Sequence, residues 1–190
     1  MKPRFLILLL MLTAVAAATA WRLVDPPTGQ NADVARVLSG PAPDFQLLDQ
    51  NNRPVRLQGY LSRFRVLLVF FDGQTGPVAD PVMQSLKQFS TALRKENIRI
   101  LAVSTPLSPQ LKPQTLSYPF PVLRDTIAGT PESCSFRWGV CRQPPLPGSA
   151  AVITPAMFLI SQDGLVELDG KLPRPLTEPL RTITKLVQGN

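Results

Sequence analysis

The chain has 190 residues, of which 44% are hydrophobic and 17% are charged, so it can bury one substantial core and is expected to form one globular domain. It contains no histidine, which excludes Ser-His-Asp and Cys-His catalytic systems and removes the commonest metal ligand. The formal charge of +7 is spread along the sequence without a basic run or a nucleic-acid-binding motif, so we predict a mildly basic, solvated surface and no nucleic-acid partner.

Residues 1–21 are predicted to direct export. Lys2 and Arg4 precede an uncharged apolar stretch, residues 5–21, which ends in small residues that fit a signal-peptide cleavage rule. This stretch is at the lower length limit for a bilayer span, so it is predicted to be either a cleaved signal peptide or a retained membrane anchor. In both cases the positive N-terminus stays in the cytoplasm, and the rest of the chain is expected to be extracytoplasmic, in a periplasm, a lumen or the medium.

Residues 22–41 are predicted to form a linker and residues 42–190 the folded domain, because the first range mixes Pro, Gly, Asn and Ser around one brief apolar patch. The domain opens with alternating apolar and polar residues on both sides of the turn Asp49–Asn52, which predicts a β-hairpin. Arg65–Phe71 is an apolar run of strand length, as expected for a strand that is covered on both faces. We therefore expect this strand at the centre of the sheet.

A helix and a second buried strand follow. Asp80 can cap the helix, and Pro81 suits its first position. The helical apolar positions are Val82, Leu86, Phe89 and Leu93. Ile98–Ser104 is the next apolar run of strand length, so the order strand, helix, strand predicts two parallel neighbours in the sheet.

The remaining elements are predicted to be short. Residues 110–116 form a weak helical segment, Phe120–Leu123 a short strand and Glu132–Trp138 a helical turn. A closing hairpin is expected around the turn Asp163–Gly164. A final helix is expected to begin near Thr177.

Three motifs in this order resemble the thioredoxin fold of peroxiredoxins (AhpC/TSA, redoxin) and of exported TlpA-like thioredoxins. Ala42–Leu47 is similar to the opening A-P-D-F-x-L, and Thr154–Ile160 resembles T-P-x-x-F-L-I. Phe70 and Phe71 lead to Thr75–Val78, in the place of the thioredoxin C-G-P-C or the peroxiredoxin T-x-x-C. The resemblance implies an α/β thioredoxin-like fold, with a central mixed β-sheet flanked by helices and an N-terminal β-hairpin extension.

The chain departs from this resemblance at the reactive positions. The thioredoxin cysteines are replaced by Thr75 and Val78, with Gly76 and Pro77 between them, and the peroxiredoxin match also puts Val78 where the sulfur belongs. A hydroxyl or isopropyl group cannot replace a thiolate in thiol–disulfide chemistry. We therefore expect a vestigial active-site loop without a catalytic residue. The resemblance also makes Pro155 the counterpart of the thioredoxin cis-proline.

The two cysteines, Cys134 and Cys141, leave three alternatives open: a structural disulfide, a relocated redox pair, or two thiols. A continuous helix would hold their Cα atoms about 10.5 Å apart, too far for a disulfide. A break at Gly139 would allow the bond, and an oxidising compartment favours it. The composition offers no cysteine and histidine cluster for a metal, and the sequence implies no cofactor.

Two functions are compatible with this sequence. The first is a non-catalytic redoxin-like domain, a pseudoenzyme, that binds a protein or peptide outside the cytoplasm. The alternative is an antioxidant peroxidase or thiol–disulfide oxidoreductase that acts through Cys134 and Cys141. Asp72, Asp80 and Glu132 are interpreted as a helix cap and solvated turn residues instead of acid–base groups.

Overall fold

A computed structural model of the chain describes residues 41–141, 151–167 and 178–188. These residues all belong to one unit, Asp33–Asn190. The predicted leader and nearly all of the predicted linker lie outside the described residues. Among the described helices, none has both the length and the apolar character that a membrane span requires.

The described residues form a six-stranded mixed sheet with the strand order β2-β1-β5-β4-β3-β6. The strands are β1 (Gln46–Leu48), β2 (Pro54–Arg56), β3 (Arg65–Phe70), β4 (Ile98–Ser104), β5 (Val122–Arg124) and β6 (Ala156–Ile160). β3 pairs in parallel with β4 and antiparallel with β6, and β4 pairs in parallel with β5. The predicted parallel pair and the opening hairpin, β1 with β2, are therefore confirmed.

Helices cover both faces of this sheet. They are α1 (Pro81–Lys95), α2 (Cys134–Arg137) and α3 (Pro179–Gln188), with 3-10 helices at Leu57–Gly59 and Lys112–Ser117. α1 begins where the sequence predicted, because Asp80 Oδ1 accepts hydrogen bonds from the backbone N–H groups of Val82 and Met83 at 2.8 and 3.0 Å. Pro81 occupies the first turn, where its missing N–H costs nothing.

β3 separates two apolar cores because its successive side chains point to opposite faces. Val66, Leu68 and Phe70 lie in one core, which also holds Trp138 and Phe158. The ring centroids of Trp138 and Phe158 are 5.0 Å apart, and those of Phe70 and Phe158 are 6.1 Å apart. The other core holds the alternate β3 residues together with the buried side of α1. Full burial of each such side chain contributes roughly 1.5–3 kcal/mol.

Several predicted boundaries differ from the structure. β3 is an interior strand, but β4 and β5 occupy the middle of the sheet. The weak segment at 110–116 is the 3-10 helix Lys112–Ser117, in which Pro113 cannot donate an α-helical hydrogen bond. The second arm of the closing hairpin is reduced to the bridges Ile160 with Val166 and Pro41 with Leu165. The predicted helix start at Thr177 lies outside the described residues.

The N-cap of α1 gives a direct test of this fold. Replacing Asp80 with Ala should lower the free energy of unfolding by about 1 kcal/mol, since two backbone N–H groups lose their acceptor. Asp80→Asn keeps a side-chain oxygen and should change stability much less. Urea unfolding followed by circular dichroism measures both variants, and equal losses would contradict the cap.

Candidate functional site

The loop at residues 72–79 leaves the carboxyl end of β3 and leads directly into α1. Phe70 pairs with Ala156, so Pro155 lies next to Phe71 at the same edge of the sheet. The loop and the Pro155 segment therefore share one edge of the sheet. The expected cis bond is wrong, because the described peptide bonds, that before Pro155 included, are all trans. Nothing at this proline overcomes the ordinary trans preference of about 0.5–1 kcal/mol.

Asp72 organises the first half of the loop. Its carboxylate accepts a hydrogen bond from the Thr75 hydroxyl at 2.7 Å and another from the backbone N–H of Gln74 at 2.9 Å. Its carbonyl accepts from the N–H of Gly76 at 3.2 Å, and Gly76 has φ +79°, a conformation that glycine adopts without strain. The Thr75 side chain is thus held in a local turn, with its hydroxyl bound to the Asp72 carboxylate.

Tyr118 and Gln84 hold the second half of the loop. The Tyr118 hydroxyl donates to the carbonyl of Pro77 at 2.7 Å, and Gln84 Nε2 donates to the carbonyl of Val78 at 3.2 Å and to the Tyr118 hydroxyl at 3.0 Å. Burial, with a smaller effect of Asp80, raises the pKa of Tyr118, so this hydroxyl keeps the proton that it donates. The sequence did not indicate either residue: Tyr118 is 41 residues from Pro77, and Gln84 is a polar residue of α1 without a motif.

Gly73 and Gly76 let the loop approach its neighbours closely. A Cβ atom at Gly73 would lie 2.5 Å from Thr105 Oγ1 and 2.9 Å from the Thr105 carbonyl oxygen. At Gly76 it would lie 3.0 Å from Leu111, just before the 3-10 helix Lys112–Ser117. The loop backbone is therefore packed against the segment that follows β4.

Several side chains at this edge are exposed to solvent, and Val78 exposes 53% of its surface. The exposed residues of the loop and of the Pro155 segment are Gln74, Thr75, Val78, Ala79, Thr154 and Pro155. The Thr154 N–H already donates to the carbonyl of Val140 at 2.8 Å, and Pro155 has no N–H. A segment bound here would therefore contact side chains, chiefly those of Val78 and Pro155, without pairing to those two backbone positions.

Cys134 and Cys141 come together in one buried turn. Cys134 begins α2, and the chain turns back at Gly139, which has φ +68°, so that the Cys141 N–H donates to the carbonyl of Ser135 at 3.2 Å. The predicted break at Gly139 is confirmed. Both cysteines are 4% exposed and are thiols in the structure. A disulfide between them stays a prediction.

The surroundings of both thiols disfavour the thiolate. Burial raises the pKa of Cys134 well above its ordinary value, the Asp125 carboxylate raises it further, and Arg137 opposes them. Burial also raises the pKa of Cys141, against a hydrogen bond from Ser135. Because only the thiolate is a strong nucleophile, both sulfurs are poorly reactive at neutral pH.

Asp125 is a buried charge that the sequence analysis did not select. It is fully buried directly after β5, and its Oδ2 accepts from the Ser135 N–H at 2.7 Å and the Ser135 hydroxyl at 2.6 Å. In the sequence, the signal for this residue is an aspartate directly after the short apolar strand β5. It fixes the turn that carries both cysteines. In the described part of the chain, no three Cys, Asp or Glu side chains are grouped as metal ligands.

The model of the AhpC/TSA family matches residues 38–168 of the chain. A search of curated proteins finds no significant match. Among solved structures, peroxidoxin BcpB from Mycobacterium tuberculosis is 22% identical, with a TM-score of 0.55 over 78% of this chain and 94% of its own. A putative thiol:disulfide interchange protein DsbE from Chlorobium tepidum is 20% identical, with a TM-score of 0.52 over 78% of this chain and 93% of its own.

Peroxiredoxin Q from Xanthomonas campestris is also similar, with 15% identity and a TM-score of 0.54 over 76% of this chain and 90% of its own. At these identities the likeness establishes the fold. It confirms the thioredoxin-like architecture predicted from the sequence. It assigns no role to individual loop residues.

The close packing of the loop can be tested at Gly73. Gly73→Ala should lower the free energy of unfolding by about 1–3 kcal/mol, because its Cβ would overlap Thr105. Gly59→Ala is the matched control, since its Cβ would meet nothing within 4 Å. Urea unfolding gives the stabilities, and hydrogen exchange at residues 72–79 should quicken only in the Gly73 variant. Equal behaviour of the two variants would rule out a tightly packed loop.

The raised thiol pKa values predict a pH dependence of stability. Between about pH 7.5 and 9.5 the unfolded chain loses thiol protons, near an ordinary pKa of about 8.5, while the folded chain keeps them. The unfolded state then binds fewer protons, so the free energy of unfolding should fall as the pH rises. The double variant Cys134→Ser, Cys141→Ser should show a shallower fall in urea titrations. An unchanged slope would mean that the thiols ionise equally in both states.

Proposed function

We propose a function from one premise: the chain belongs to the AhpC/TSA family, whose model matches well over half of it, residues 38–168. The domain works outside the cytoplasm and binds an extended segment of a protein partner at the edge formed by the 72–79 loop and Pro155. It does so without thiol catalysis at that edge. The observation that supports this proposal is the exposed Val78 side chain in an ordered loop, at the position that the sequence resemblance aligns with the family's sulfur.

The ordering of the loop supports a binding role. Three side chains from three places in the sequence, Asp72, Gln84 and Tyr118, hold its backbone in one conformation. A fixed loop loses little conformational entropy when a partner binds, so small contact areas can still contribute affinity. Burial of the exposed Val78 side chain by a partner would add a favourable apolar contribution to the free energy of binding.

The positions of the sulfurs support a non-catalytic role. The AhpC/TSA resemblance implies peroxide or disulfide chemistry, which requires an accessible thiolate. Thr75 and Val78 carry no sulfur, and both cysteines are buried with raised pKa values. A hydrogen-bonded threonine hydroxyl does not supply the missing nucleophile.

The extracytoplasmic location rests on the leader predicted at residues 1–21. The apolar stretch at residues 5–21 would also tether the domain if it is retained. An oxidising compartment would favour closure of Cys134 and Cys141 into a disulfide, which would remove the last thiols from the domain.

The alternative, a peroxidase or thiol–disulfide oxidoreductase working through Cys134 and Cys141, has one observation in its favour. Cys141 forms an antiparallel bridge with Ile153, which lies two residues before Pro155. One cysteine is therefore close in the fold to the proposed binding edge. Its 4% exposure requires local opening before it could meet a substrate. Peroxide consumption by the full chain, compared with the double Cys→Ser variant, separates this function from the first.

Site-specific photocrosslinking tests the binding function. p-Benzoylphenylalanine at Val78 should give a crosslinked adduct with an extracytoplasmic protein in the cells that make the chain. Leu165 is the matched control, because it is equally exposed at 53% and lies just after the Asp163–Gly164 turn, at the opposite end of the sheet. The adduct from Val78 should persist in the double Cys→Ser variant and be absent for Leu165, as read by mass spectrometry.

Two results would refute the proposal. The same adducts from both positions would mean nonspecific contact. A rate of peroxide or disulfide turnover well above the uncatalysed rate, lost in the double Cys→Ser variant, would assign the function to the buried thiols instead.

A further inference from the structure

A basic surface lies at the amino ends of β3 and β4, the end of the sheet opposite the 72–79 loop. It consists of Arg63 and Arg99, which stack on the ring of Phe64, and Arg94, whose carbonyl is bound by Arg99. We call it the arginine surface. The guanidinium carbon of Arg99 lies 3.9 Å from the Phe64 ring centroid, and that of Arg63 lies 5.5 Å from it. Stacking on one ring keeps both cations at fixed positions.

Backbone contacts hold the surface together. Arg99 Nη1 donates to the carbonyl of Arg94 at 3.3 Å, and Arg94 Nη2 donates to the carbonyl of Pro119 at 3.3 Å. Asn97 Nδ2 donates to the carbonyl of Arg63 at 3.0 Å. Each arginine therefore has a defined place, while most of its five N–H donors remain for another acceptor.

No carboxylate neutralises the three arginines within the described residues. The ion pairs found there join Arg56 to Asp44, Arg65 to Glu167 and Arg181 to Glu178. Besides Glu167, which pairs with Arg65, three acidic residues are linked to the surface: Glu96 directly follows α1, Asp163 follows Gln162 in the turn that contacts Arg63, and Asp49, like Arg99, acts on Tyr60. Asp49 is buried and accepts from the N–H groups of Asn51 and Arg53, while Glu96 and Asp163 are exposed. With Lys95 included, exposed or half-exposed cations outnumber these acids.

Helix stability explains only part of this arrangement. Arg94 and Lys95 lie in the last turn of α1, where cations favour the helix dipole. That effect does not require Arg63, which precedes β3, or the stacking of two guanidinium groups on Phe64.

A half-open cavity of about 310 Å³ lies beside the surface. Its polar walls are Arg94, Arg99, Ser90 and Tyr60, and the rest of its lining is apolar. Burial and Asp49 raise the pKa of Tyr60, so its hydroxyl is protonated and can donate. Two guanidinium groups with hydroxyl groups beside them match the oxygens of a phosphate.

The chain enters the described domain at this same end. Pro41 bridges Leu165, and the N–H of Ala42 donates to the carbonyl of Gly164 at 2.8 Å. In the same turn, Gln162 Nε2 donates a hydrogen bond to the carbonyl of Arg63 at 3.1 Å. The segment that precedes Pro41, in which the export leader is predicted, therefore joins the domain beside the arginine surface.

We propose that the arginine surface binds the phosphodiester headgroups of an anionic phospholipid membrane. The choice of a membrane as the partner rests on the leader predicted at residues 1–21. A retained leader would place the end of the domain that contains Pro41 on the side of the bilayer. Guanidinium groups bind phosphate bidentately, and basic residues close to an anionic leaflet add attraction that salt screens. Bound in this way, the domain would hold the 72–79 loop about 20 Å from the lipid, the length of β3.

Hydrogen exchange on the full chain in lipid vesicles tests the proposal. Two vesicle compositions are needed: phosphatidylcholine alone, and phosphatidylcholine mixed with phosphatidylglycerol. We expect backbone amides at residues 60–64 and 94–99 to exchange about tenfold more slowly in the mixed vesicles. Exchange at residues 72–79 should be equal in both, and about 0.5 M NaCl should remove the difference.

Two triple variants with equal charge isolate the surface. R63Q/R94Q/R99Q should lose the lipid-dependent slowing, whereas R56Q/K112Q/R181Q, which changes exposed cations elsewhere, should keep it. The ratio between the two vesicle types is taken within each variant, so a general loss of stability cancels.

Three outcomes would overturn the proposal. They are equal exchange in both vesicle types, equal effects of the two triple variants, and the same slowing by soluble glycerol phosphate without vesicles. Failure of the chain to associate with phosphatidylcholine vesicles would instead count against the predicted leader anchor. The crosslinking result at Val78 is read separately, so the partner-binding function and the lipid contact can fail independently.

Discussion

The burial of β3 on both faces is the constraint on which the rest of the molecule depends. Its side chains alternate between two cores, one built around Trp138 and Phe158 and the other against α1. Its ladders to β4 and β6 fix the register, so a slip by one residue would exchange the two cores. Because the register is fixed, the points where the chain enters and leaves β3 are fixed too.

The loop at the carboxyl end of β3 is ordered by side-chain hydrogen bonds. Asp72, Gln84 and Tyr118 fix its backbone, and none of these contacts requires a sulfur. Cys134 and Cys141 lie in a different turn, organised by Asp125, where burial raises the pKa values of their thiols. The order of the loop and the state of the thiols therefore depend on different residues.

The sequence predicted those features that arise from local patterns. Asp80 with Pro81 marked the start of α1, and the apolar run after Arg65 marked β3, because capping and continuous burial leave signatures in consecutive residues. It could not identify Tyr118 or the stacking of Arg99 on Phe64, since these contacts join distant segments. The cis bond at Pro155 came from the family resemblance alone, and the local geometry of this chain does not have it.

The two ends of β3 also divide the molecule by charge and by polarity. At the carboxyl end, the exposed groups of the loop are uncharged and include the apolar Val78. At the amino end, guanidinium groups lie close together because α1 ends there and β4 begins there. A parallel strand pair with a crossover helix makes this separation unavoidable, since the helix must return its carboxyl end to the side on which the strands start. Cations in the last turn of α1, where they stabilise the helix, therefore lie beside the first residues of both strands. A phosphate contact at that end would leave the opposite edge, with its ordered loop, exposed to solvent.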